Sequence, residues 1–120
     1  MNLSSLSLVV LCALCSVFTS CAEHNIPVEH QCLSNETISF SSDVEEIVIS
    51  NCAVSGCHDG TNGAERNWLI FSNFQSHASE VRHRITLPID HPEHMPRLGS
   101  LTADEIQTII CWVDQGAKED

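Results

Sequence analysis

The chain has 120 residues, enough for one small domain. Its 16 acidic and 5 basic side chains give a net charge of −11. That balance argues against nucleic acid and anionic lipid as partners, since both are bound through Lys and Arg. It favours a basic docking partner, with solubility alone as the plainer reading.

Residues 1–20 carry no charged side chain and include an apolar run from Leu6 to Phe18. The run is shorter than the roughly 20 residues of a spanning helix and fits the core of a secretory signal, although Lys and Arg are missing before it. Phe18-Thr19-Ser20-Cys21 resembles a bacterial lipoprotein cleavage site, at which Cys21 becomes the lipidated first residue of the mature chain. Phe18 stands where such sites favour Leu, and ordinary cleavage nearby is the alternative. Residues 21–41 are polar, contain Pro27, His24 and His30, and read as a tether. Asn35-Glu36-Thr37 matches a glycosylation sequon, which carries little weight beside these bacterial features.

The domain is expected over residues 42–120. Ser42 with Glu45 forms a capping box, and Val44, Ile47 and Val48 follow at helical spacing, which predicts a first helix to about Asn51. That helix delivers Cys52-Ala53-Val54-Ser55-Gly56-Cys57-His58 at its end. Two thiols with a histidine directly after the second are the pattern of covalent haem attachment. The thiols add to the porphyrin vinyl groups and His58 ligates the iron. Here four residues separate the thiols instead of two, so the attachment loop must bulge outward, with Gly56 giving the backbone freedom for it.

Gly60 and Gly63 continue the loop. A further helix is predicted from Asn73 to Arg84 with Asn73 as its cap, and Trp68, Phe71 and Phe74 read as core. Residues 86–100 form a loop punctuated by Pro88, Pro92, Pro96 and Gly99, and carry Met95. Methionine sulfur is the second axial ligand of electron-transfer haems, with His94 and His91 as rivals in the same loop. His77 and His83 read as solvated; a zinc site built from them with Asp59 or Glu93 is not demanded by the spacing. The last helix is capped by Thr102 with Glu105, presents Ile106, Ile109, Ile110 and Val113 on one face, and ends at Gly116.

Seven cysteines can each be given a role. Cys12 and Cys15 leave with the signal, Cys21 is lipidated, and Cys52 and Cys57 hold haem. Cys32 and Cys111 then form a disulfide, suited to an oxidising compartment. A Cys52–Cys57 disulfide without a cofactor is the competing arrangement.

The three blocks together resemble the class I c-type cytochrome family. A helix enters the attachment motif, Met95-Pro96 stands in a loop, and Leu101 to Ala117 reads Leu-Thr-Ala-Asp-Glu-Ile-Gln-Thr-Ile-Ile-Cys-Trp-Val-Asp-Gln-Gly-Ala. The resemblance covers about residues 42–117. It implies an all-α, cytochrome c-like bundle of three to four short helices around one covalent haem c. It implies thioethers at Cys52 and Cys57, proximal ligation by His58 and distal ligation by Met95. The expected function is electron transfer on the periplasmic side, without enzymatic activity, with a redox protein as partner and membrane contact only through Cys21. A sensor with open or bis-His iron is the alternative that keeps the haem, and a haem-free, disulfide-stapled lipoprotein is the one that does not.

Overall fold

A computed structural model describes Cys32 and residues 35–120. The expected signal, Cys12, Cys15, the lipidation site Cys21, His24 and His30 lie outside the described residues. Among those described, the chain is helical and has no strand. A π-helical turn, Phe40–Val44, leads into α1, Glu45–Asn51. A 3-10 turn, Ala64–Arg66, is followed by α2, Phe71–Ser76, α3, Ala78–Ile85, and α4, Ala103–Asp114. None of these helices is long and apolar enough to cross a membrane.

The first helical segment starts earlier than the Ser42/Glu45 box predicts. Ser39 is the cap: its hydroxyl accepts from the Ser42 amide at 3.2 Å, and its own amide donates to Asp43 at 2.8 Å. The wider π turn puts the reciprocating carboxylate one residue further along than a capping box would. The gain is that Phe40 and Val44 enter the core with Val48. The tether expected over residues 21–41 is also docked before it ends. The Gln115 side chain accepts from the Ile38 amide at 2.9 Å and donates to the Glu36 carbonyl at 2.7 Å.

The single helix expected from Asn73 to Arg84 is two helices, broken at His77 (φ −104°, ψ 3°). Asn73 does not cap. Its amide nitrogen donates to the carbonyls of Ala64 and Asn67, at 2.9 and 3.1 Å, and ties the preceding loop to α2. α3 then buries Ala78, Val81 and Ile85 on one face and ends with Arg82, His83 and Arg84, cations that suit a helix C-terminus.

α4 follows its prediction closely. The Thr102 hydroxyl accepts from the Glu105 amide at 3.2 Å, and Glu105 accepts from the Thr102 amide at 2.7 Å. At the other end Gly116 (φ 99°) donates to Val113 and Ala117 to Trp112, a Schellman closure. Ile109, Ile110 and Trp112 are fully buried. Phe74 stacks on Trp112 at 5.4 Å, and Phe40 meets Trp112 at 5.6 Å. These three rings join the π turn, α2 and α4 into one core. The Trp112 indole N–H is satisfied by the Lys118 carbonyl at 2.9 Å. Cys32 and Cys111 stand at disulfide geometry, with S–S 2.12 Å and Cα–Cα 5.3 Å, which fastens the chain before the π turn to α4.

Candidate functional site

Cys52 closes α1: its amide donates to Val48, and the side chain is buried. From there the chain bulges and returns. The Cys57 amide donates to Val54 at 2.9 Å, and Gly56 takes φ +79° with open space where a Cβ would stand. Asn62 donates to the Gly56 carbonyl at 2.7 Å. Thr61, through its hydroxyl and its amide, and then the Gly56 amide hold the Asp59 carboxyl below the usual range. Asp59 is thus a loop-holder, and among the described residues no cluster of three His, Cys, Asp or Glu is placed to hold a metal ion.

The bulge ends at His58, whose backbone is fixed on both sides. Its amide donates to Cys52 at 3.1 Å, and its carbonyl accepts from Trp68 at 2.8 Å. The imidazole lies flat on the Trp68 indole, 3.5 Å between ring centres and 8° between planes. Burial lowers its pKa, and Arg66, His77 and Arg84 add to the shift. The ring is therefore held neutral, with a lone pair available, and its Nδ1 is buried without a hydrogen-bond partner.

His58 borders a cleft whose other walls are Cys52, Trp68, Val81, Ile85, Met95 and Pro96. Met95 reaches it because its amide donates to the Arg84 carbonyl at 3.2 Å, which draws the proline-rich loop onto the end of α3. An adjoining lobe, lined by Val54, Cys57 and Leu98, shares Cys52, His58, Trp68 and Met95 with the first. Both motif cysteines are free thiols, so the local Cys52–Cys57 disulfide is not formed. Burial, then the neighbouring Cys57 and Glu105, push the Cys52 thiol up to about 11.

Of the four residues expected at the site, Cys52, His58 and Met95 thus line both adjoining cavities, and Cys57 lines the second. The rival ligands do not. His94 turns its Nδ1 onto the Leu87 carbonyl at 2.8 Å, His91 accepts from the Glu93 amide at 3.1 Å, and neither lines the cleft. His83 is exposed. His77 is the correction: expected in solvent, it is half-buried and lines the cleft, its Nδ1 bonded to the Asn73 carbonyl at 2.8 Å. Trp68 packs against the core as expected, edge-on to Phe74 at 5.4 Å, and its other face forms the cleft wall against His58.

Sequence reasoning also missed Arg66, Glu80 and Arg84 at the cleft. Arg84 pairs with Glu80 at 2.7 Å, whereas Arg66 has no ion pair among the described residues. No protein-family model matches the chain, and neither a curated protein nor a solved structure matches it significantly.

Proposed function

We propose that the chain is an exported electron carrier holding one haem c, attached through Cys52 and Cys57 and ligated by His58 and Met95, within a cytochrome c-like helical bundle. The observation that carries this reading is that Cys52, the His58 imidazole and the Met95 sulfur line two adjoining, largely apolar cavities, with Cys57 on the second and both thiols free. Nδ1 of His58 and the indole N–H of Trp68 are buried without partners beside this cleft, as Nε2 of His94 is outside it. When bound, the haem supplies a one-electron ferrous/ferric couple, with His/Met ligation suited to electron transfer.

The chain's own residues do the rest. Trp68 and the backbone bonds to Cys52 and Trp68 hold the His58 ring in place. Val81 and Ile85 exclude water from the same space, which raises the reduction potential of a buried site. Arg66, which has no ion pair among the described residues, would offer positive charge to the haem carboxylates, whereas Arg84 is already paired with Glu80. Export, lipid anchoring at Cys21 on the periplasmic side, and a redox protein with a basic surface as partner complete the proposal.

A second reading keeps the haem and replaces Met95 by His77, which borders the same cleft. The oxidised absorption spectrum of protein exported by a host with haem c maturation machinery separates the two. A sulfur-to-iron charge-transfer band, lost in Met95→Ala and kept in His77→Ala, supports Met95. A low-spin spectrum without that band, unchanged by Met95→Ala, supports His77, and a high-spin spectrum leaves a sensor with open iron.

A further inference from the structure

A second depression lies beside the cleft, between α1 and the segment entering α2. Phe40, Val48 and Phe71 line it together with Glu45, Glu119 and Asp120, and no Lys or Arg does. Trp68 is the one side chain, among the described residues, that lines both this groove and the cleft. Ile49, Leu69 and Ile70 are 43%, 55% and 49% exposed in α1 and the segment before α2. The Ser41 hydroxyl and amide bind the Asp120 carboxylate and hold its pKa down to about 2, so this rim charge persists at any physiological pH.

We propose that this groove is the docking face for a basic redox protein, and that Trp68 is the contact through which its electrons reach His58. The proposal rests on the electron-carrier reading and names the partner's chemistry: Lys or Arg around an apolar centre. Exposed apolar groups beside carboxylates are how a transient interface combines desolvation with steering. A second copy of this chain is disfavoured there, because it brings the same three carboxylates against each other. The indole, in stacking contact with the imidazole at 3.5 Å, replaces a saturated path between surface and site with two conjugated rings. A one-electron exchange across the contact oxidises the carrier by one electron and reduces the partner by one, and no proton or group moves.

The test uses tris(phenanthroline)chromium(III), an inert paramagnetic trication with apolar faces, added at low salt to the isotope-labelled chain. Amide signals of Ile49, Leu69 and Ile70 should broaden first. The broadening should weaken severalfold in Glu45→Gln/Glu119→Gln and be unchanged in Asp90→Asn/Glu93→Gln, whose residues line neither cavity. In the haem-loaded protein, the cobalt(III) analogue takes one electron and becomes cobalt(II). Its rate should fall about tenfold in the rim variant. Trp68→Leu should slow it by more than any loss of broadening accounts for, and Trp68→Phe, which keeps a ring against His58, should restore most of it. Broadening spread over the acidic surface, or centred on Leu98, overturns the docking face. Equal rates in Trp68→Leu and wild type overturn the relay. A chain that takes up no haem ends the electron-carrier reading, and the chromium experiment still decides whether the groove receives a basic surface.

Discussion

Cys52 and Cys57 share a motif but not an environment. Cys52 is 8% exposed at the end of α1, and Cys57 is half-buried on the bulge. Since the thiolate is the reactive form and burial opposes it, iodoacetamide at neutral pH should label Cys57 severalfold faster than Cys52 in the haem-free chain, as read by peptide mass. The raised Cys52 pKa also sets an alkaline limit. The folded chain keeps between pH 9 and about 11 a proton that the unfolded chain gives up. Stability is therefore unaffected below pH 9 and falls as pH rises towards 11, by about 2–3 kcal/mol. Urea unfolding across that window should show the slope in wild type and a shallower one in Cys52→Ala. His58 has the opposite shift, and its neutral ring is the form a metal requires.

At the scale of elements, α4 is the segment whose caps are local and unopposed. Thr102→Ala should cost about 1 kcal/mol in unfolding free energy. Gly116→Ala should cost about as much, because a side chain at φ 99° is strained. Thr102, Glu105 and Gly116 were legible in the sequence for that reason: each bonds within its own turn. Ser42/Glu45 was misleading because Ser39 with Asp43 offers a competing cap that lets Phe40 reach Trp112, a contact with no trace in local sequence. Asn73 looked like a cap, but its partners are carbonyls up to nine residues away. His77 and Trp68 escaped for a related reason. The helix breaks at His77, so helical spacing could not place its ring, and only the return of the loop to His58 gives Trp68, packed on the core by one face, a second role as cleft wall. That Cys52, His58 and Met95 line the same two adjoining cavities is a property of the folded chain that spacing alone does not give.

In the whole molecule, a small core is braced from outside. The Cys32–Cys111 link spans a sequence separation of 79 residues, and closing so long a loop restricts the unfolded chain. Its reduction should lower stability by about 2–4 kcal/mol, measured by denaturant unfolding with and without reductant. A covalently held group filling the cleft would stabilise the fold further, since only the native arrangement of α1, α3 and the proline-rich loop buries its apolar surface. Intact mass under denaturing conditions, on protein exported by a host with haem c maturation machinery, tests the central claim most directly. Wild type should carry the added mass of one haem, retained after unfolding and after removal of free cofactor, and lost in Cys52→Ala/Cys57→Ala. An unmodified mass in wild type, with both thiols still open to alkylation, would contradict it.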